Sequence, residues 1–266
     1  MKIVHFSSGL GNQVFFYLFC RYLQKKYPKQ KVYGYYNKRW LKKHNGLELD
    51  KVFDVYLPPH TKLSDIVAWL CRKLNGIGVK GLKATDSCFS ESAVYFDGYY
   101  HDTKFIQDFL SELKFRDFYL DNTNRGLKEK ILTSNSVAIH IRRGDYLLPE
   151  IDKMFGGICT DEYYRKAINI VKEKWESPTF FVFSNDIEWV REHLPLDDAF
   201  YVTNNTGDNS YLDMYLMSLC KGDIIANSTF SYWGAIMNRN NPVVIYPQKW
   251  NNLYTPNMFP VKWIGL

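Results

Sequence analysis

His140-Ile141-Arg142-Arg143-Gly144-Asp145-Tyr146 follows the apolar run Val137-Ala138-Ile139, and the join between the two decides how the chain folds. The apolar run reads as a buried strand over Val137–Ile141. Two arginines, a glycine and an aspartate then stand where that strand ends. In open α/β sheets ligands bind outside the carboxyl ends of strands. Paired guanidiniums at such a place suit a phosphate, because each stays charged and its planar fork bonds two oxygens at once. An ordinary surface Arg–Asp ion pair is the alternative that spacing alone leaves open.

Working outward, the C-terminal half alternates strand and helix. The strand patterns are Thr179–Phe183, Phe200–Val202, Asp223–Ala226 and Val243–Tyr246. Between them lie helical patterns at Asp161–Trp175, Ile187–Leu194, Tyr211–Cys220 and Ser231–Asn238. That alternation predicts a parallel sheet covered on both faces. The N-terminal half opens the same way, with a strand at Lys2–Ser7, a helix at Asn12–Tyr27 stopped by Pro28, and a strand at Val32–Tyr36. From Lys38 to Cys88 the pattern is weak and turn-rich. It contains one amphipathic stretch, Leu63 to Leu74, with Leu63, Ile66, Val67, Leu70 and Leu74 on one helical face. Such a face packs on its own core or docks on a membrane. The polar stretch Asp121–Gly126 is the natural boundary, so two α/β domains are expected, 1–125 and 126–266, with a ligand cleft between them.

Composition narrows the class. With 266 residues, 46% apolar and 23% charged, the chain is an ordinary globular protein. Its longest apolar run, Val14 to Cys20, is too short to cross a bilayer. The strand pattern starts at once, without a signal-peptide layout. Five scattered cysteines form no CxxC pair, so neither a disulfide framework nor a zinc site is expected. These features read as a cytoplasmic protein. Net charge is +6, and Arg21 to Lys43 holds nine Lys/Arg and no acid. That stretch is either a solvated basic face or an attractor for an anionic surface or polyphosphate. No nucleic-acid-binding motif accompanies it.

Several blocks besides the 140–146 stretch carry polar residues at predicted strand ends. Asn227-Ser228-Thr229-Phe230-Ser231 joins a strand to a helix, where unpaired N–H groups suit a phosphate; capping by Ser or Thr is the equal alternative. Ser184-Asn185-Asp186 ends another strand. There Ser184 is a ligand candidate, and Asp186 either caps the next helix or bonds a ribose or base. Asp213 opens a helix and is a cap or a buried carboxylate facing a base. Gly9-Leu10-Gly11-Asn12-Gln13 looks like a dinucleotide fingerprint but fails it, because Val14 stands where the third glycine belongs and no acidic residue follows the second strand. No Asp-x-Asp pair occurs to hold a divalent ion on a diphosphate.

Taken together, the 140–146 block, Gly9–Gln13, Asp97-Gly98-Tyr99-Tyr100, Phe183–Val190, Asp213–Cys220 and Ile225–Gly234 resemble, in order, the motifs of glycosyltransferase family 11, the α-1,2-fucosyltransferases. The resemblance implies a GT-B-like arrangement of two Rossmann-like domains, an acceptor-side N-terminal one and a GDP-sugar-binding C-terminal one. It implies GDP-fucose as donor, a galactose-containing oligosaccharide or lipid-linked glycan as acceptor, and no cofactor. It further implies that Arg142 grips the β-phosphate, that the Ser228–Ser231 loop holds the phosphates from the other side, that Asp213 reads guanine, and that Gly11 and Asn12 face the sugar. His140, Arg143 and Asp145 complete the candidate site; Asp145, His5 and His101 are the candidates for a base. One departure is Ser8, which replaces the family's first glycine.

Overall fold

The computed structural model describes residues 1–197, 199–240 and 242–266. It divides into two compact units, Met1–Arg116 and Asp117–Leu266.

In the first unit β1 (Lys2–Phe6) runs into α1 (Leu10–Lys26) and returns through β2 (Val32–Tyr36). The single-turn helices α2 (Lys38–Leu41) and α3 (Leu49–Val52) precede α4 (Lys62–Gly76); short β3 (Lys83–Ala84), β4 (Tyr95–Phe96) and α5 (Thr103–Ile106) follow. The sheet order is β2-β1-β4-β3, and every pair is parallel. Val14, Phe15, Leu18 and Phe19 of α1 are fully buried, and Phe19 stacks on Tyr100 at 3.9 Å. On the sheet's other face Ile3 and Tyr95 pack against Ala68 and Cys71 of α4.

The second unit begins with α6 (Asn122–Thr133) and β5 (Ser136–Ile141). A 3-10 turn at Gly144–Leu147 leads to α7 (Pro149–Phe155), α8 (Asp161–Lys174) and β6 (Thr179–Ser184). Then come α9 (Ile187–His193), β7 (Phe200–Val202), α10 (Tyr211–Met217), β8 (Gly222–Ile224), α11 (Thr229–Met237), β9 (Val243–Tyr246) and β10 (Ile264–Gly265). The six strands are all parallel, in the order β10-β9-β8-β5-β6-β7. Counted from its own first strand this is the 3-2-1-4-5-6 order of a Rossmann sheet. β5 is central and wholly buried, as the apolar run at its core requires. Val137, Ile139 and Ile141 meet Tyr164, Ile168 and Val190 on one face. Ala138, Phe181 and Phe183 meet Ile131, Leu216 and Met217 on the other. Burying each large apolar side chain is worth roughly 1.5–3 kcal/mol. A one-residue slip of β5 would exchange its two faces, so its register is strongly held.

Two expectations change. Asp121–Gly126 is not a linker: Asp121 caps α6 by accepting from the Asn124 amide at 2.7 Å, so the polar residues are a helix start. The division falls at Arg116/Asp117, ahead of the expected 125/126. The second change concerns α4. Its buried stripe is Ser64, Ala68 and Cys71; of the expected core face Val67 packs half-buried beside them, Leu74 is half-buried, and Leu63, Ile66 and Leu70 lie exposed. The sheet beneath is crowded with Tyr33, Tyr35 and Tyr95, so small side chains make the closer contact.

Candidate functional site

The second unit has a switch point, where chain order runs outward both ways from two adjacent central strands and the loops after those strands diverge. These strands are β5 and β8. The loop after β5 is Arg142–Asp145 and the loop after β8 is Ile225–Ser228. The topology therefore brings together the two blocks whose residue types suit a phosphate. A direct bond joins them: the Tyr146 hydroxyl donates to the Asn227 carbonyl at 2.9 Å.

The turn after β5 is built on glycine. Gly144 has φ +28°, and a Cβ there would fall 2.1 Å from the Asn185 side-chain nitrogen. Asn185 in turn accepts from the Arg143 amide at 3.0 Å. The two guanidiniums then part company. Arg143 donates to Asp186 at 3.1 Å and lies 3.6 Å over the Trp189 ring, so it is committed to its own scaffold. Arg142 makes a looser set: its guanidinium approaches Asp145 at 2.8 Å without hydrogen-bond alignment and sits 5.8 Å from the Tyr146 ring. It is partly exposed, so an arriving anion competes only with one half-exposed carboxylate. His140 is buried against Phe230, with ring centroids 5.7 Å apart. Burial, aided by the Arg142 charge, pushes its pKa down to about 3, which leaves it neutral.

Across the switch point, α11 begins at Thr229 with Ser228 as N-cap residue, and no side chain caps it. Side-chain capping, one of the two alternatives above, is therefore not made at this helix start. The Ser231 hydroxyl turns inward to the carbonyls of Ser228 and Ala226 at 3.2 and 3.4 Å. Ser231 therefore shapes the loop from within and presents no hydroxyl to a ligand. Asn227 does likewise: its amide donates to the Phe155 and Trp250 carbonyls at 3.0 and 3.1 Å and accepts from the Cys159 thiol. Thr229 and Phe230 are the half-exposed members. The helix thus offers its first-turn N–H groups, which carry partial positive charge.

Ser184 and Asp186 lie at the end of β6, next to β5. Asp186 both caps α9, accepting from the Trp189 amide at 3.4 Å, and holds Arg143; the Ser184 hydroxyl accepts from the Asp186 amide at 3.0 Å. Asp213 is in the first turn of α10 but does not cap it. It accepts from Asn205 at 2.8 Å, and Asn205 exchanges two bonds with Asn124. Burial pushes the Asp213 carboxyl up to about 7, against the Asn205 bond that lowers it. The sequence does not single out Asn205 and Asn124 as partners of Asp213, since asparagines in polar stretches read as loop.

Gly11 and Asn12 belong to the first unit, where β1 lies beside β4 and the helices that follow them, α1 and α5, pack on one another through Phe19 and Phe105. The loop after β1 runs through Ser8 at φ +64°, a left-handed conformation that explains why glycine suits this position in the resembled motif. Gln13 is fully buried and satisfied: its amide donates to the Ser8 and Gly46 carbonyls, and its oxygen accepts from the Glu48 and Leu49 amides. Gly11 is buried in the first turn of α1. Asn12 faces His101, Oδ1 to Nε2, at 3.2 Å. Burial holds His101 down to about 3, so it too is neutral. His5 Nδ1 meets Asp97 at 2.6 Å, and Lys83 meets the other Asp97 oxygen at 2.6 Å. Burial works to raise Asp97, but these two bonds outweigh it and hold the carboxyl at about 2. Among the described residues no group of three or more His, Cys, Asp or Glu is placed to hold a metal ion.

Comparison with known proteins gives the family. An alpha-1,2-colitosyltransferase from Escherichia coli is 29% identical over 99% of this chain and 98% of its own length. The galactoside alpha-(1,2)-fucosyltransferase 1 of Saimiri boliviensis boliviensis is 26% identical over 49% of this chain, and the match spans 38% of that protein. The solved fucosyltransferase NodZ from Bradyrhizobium is similar at 13% identity and a TM-score of 0.49, covering 88% of this chain and 91% of that one. The sequence profile of glycosyl transferase family 11 matches residues 80–266, and with its two Rossmann-like α/β units the chain belongs to glycosyl transferase family 11.

Proposed function

We propose that this glycosyltransferase moves L-fucose from GDP-β-L-fucose to the 2-hydroxyl of a galactose, with inversion and without a metal ion. The observation that carries the reading is the pairing at the β5–β8 switch point: the loosely held Arg142 guanidinium and the uncapped start of α11, tied together through Tyr146 and Asn227. In the reaction the bond between fucose C1 and the β-phosphate oxygen breaks, and its electron pair stays on GDP. A new bond forms from the acceptor oxygen to C1, and the hydroxyl proton leaves. Fixed positive charge at the departing diphosphate lowers the barrier because it is in place before charge develops. Asp145 is the carboxylate nearest that charge and has two available roles, orienting Arg142 or taking the proton.

Colitose is the alternative sugar. The relative named for its transfer aligns over the whole chain, whereas the fucosyltransferase aligns over half. The experiment is a transfer assay with GDP-fucose and a β-galactoside, with the linkage read by NMR. An α-1,2-fucosylated product formed equally in EDTA supports the proposal. Activity abolished by EDTA and restored by Mn²⁺ overturns its metal-free part, and turnover confined to another GDP-sugar overturns the fucose assignment.

A further inference from the structure

Helix α4 is amphipathic in the opposite sense to its packing. It meets its own sheet through Ser64, Ala68 and Cys71, with the half-buried Val67 beside them. Nearly half a turn away, Leu63, Ile66, Trp69, Leu70 and, just past the helix end, Ile77 form a second stripe, 62, 55, 51, 42 and 78% exposed. A surface helix normally turns its largest apolar residues inward. A contiguous exposed stripe of this kind marks an interaction surface. Its rim is basic: Lys62, Arg72, Lys73 and Lys80 against a single acid, Asp65, which lies 3.7 Å from His60. Lys73 lies 6.0 Å from the Trp69 ring centre, within the stripe itself.

We propose that α4 lies on an anionic lipid bilayer, its Leu63–Leu70 stripe among the acyl chains and its lysines at the headgroups. The helix has 15 residues, and no helix among the described residues is long and apolar enough to cross a membrane. It therefore lies in the interface plane. The charge decides the occupant. Two copies of this chain meeting face to face on α4 would bring like-charged rims together, whereas an anionic bilayer complements the rim. Tryptophan at the edge of an apolar stripe fits the same boundary, with an apolar ring and an N–H for the wet side.

Flotation of the full chain with vesicles tests this. The protein is expected to float with phosphatidylcholine vesicles containing phosphatidylglycerol, to stay behind with phosphatidylcholine alone, and to be released by salt. I66E/L70E is expected to weaken binding by about tenfold or more, since it places two charges in the apolar stripe. Both positions are exposed, so its thermal melt should match the parent. The parent's tryptophan emission should shift to the blue with the anionic vesicles, and W69F should abolish that shift; this readout stands whether or not the double variant folds. Failure of the parent to float, undiminished flotation of folded I66E/L70E, or a dimer that I66E/L70E splits without any vesicle binding would each overturn the proposal.

Discussion

The two units of this chain each set two strand-end loops side by side and fill them differently. Each joins the loop after a first strand to the loop after a later strand that lies beside it, Ser7–Gly9 with Asp97–Tyr100 in one unit and Arg142–Asp145 with Ile225–Ser228 in the other. In the C-terminal unit the filling is positive: a loosely paired Arg142 and an uncapped helix start. In the N-terminal unit it is internally paired: Asn12 against an uncharged His101, a Gln13 with every polar position used, and the Asp97 carboxylate between His5 and Lys83. Similar pairs of loops thus present loosely held positive charge in one unit and groups already paired with one another in the other. Side-chain charge and pairing make the difference, and the fold permits both.

The largest effect should come from Arg142. Arg142→Ala is expected to lower transfer about 10²–10³-fold while leaving the melt unchanged, the usual size for losing one fixed donor at a developing charge. Steady-state rates with calorimetric melts check it, and near-parent turnover would break the assignment of charge chemistry to the C-terminal switch point. Gln13→Ala should act on the other side of the comparison, through stability. It strips partners from two buried amides and two carbonyls, so urea unfolding should show a loss of about 3 kcal/mol. A loss below a few tenths would mean that the Gly9–Gln13 turn does not depend on this lock.

Asp213 gives a pH test. Its folded carboxyl, pushed up to about 7, binds its proton more tightly than an unfolded Asp. Its contribution to stability is therefore present at low pH and is lost as pH rises toward and through about 7. Asp223, pushed up by burial to about 8, adds a loss of the same sign slightly higher. Asp213→Asn should flatten the lower part of that decline in unfolding experiments run from pH 5 to 8. If the ionised carboxylate receives the guanine N1–H and amino group, GDP affinity of the parent should rise over the same interval and that of the variant should not. The smallest effect is expected at Ser8. Relief of its left-handed backbone by Ser8→Gly, less the added chain entropy, should stabilise by roughly 0.5–1 kcal/mol. A destabilised variant would show that the Ser8 side chain, and not its φ, holds the turn.

Much of this was legible in the sequence because strand-end chemistry is local. The buried run before Arg142 identifies β5, and β2, β7 and β9 fall where their apolar runs lie. Alternation of strand and helix gave the parallel sheets. What was not legible depends on which way a side chain turns. Ser231 and Thr229 are alike as letters, yet Ser231 bonds inward to carbonyls while Thr229 stays half exposed. Arg142 and Arg143 are neighbours with different fates, because only Arg143 reaches Asp186 and Trp189 on α9. On α4 the periodicity was correct, but of the expected inner face Val67 packs on the sheet while Leu63, Ile66 and Leu70 lie exposed, because the tyrosine-rich sheet takes small residues. The nine-cation stretch from Arg21 contains no acid of its own, but Glu112, Asp108 and Glu91 from distant segments meet Arg21, Lys25 and Lys26.

The central claim is that the β5–β8 switch point holds the diphosphate of a GDP-sugar. Isothermal titration of the parent and Arg142→Ala with GDP, GDP-fucose, UDP and ADP in metal-free buffer tests it most directly. The account predicts binding of GDP and GDP-fucose over UDP and ADP by the parent, and a loss of at least about tenfold in the variant, as removal of a charge-assisted phosphate contact requires. Equal binding of all four nucleotides, or GDP binding unchanged by Arg142→Ala, would contradict it.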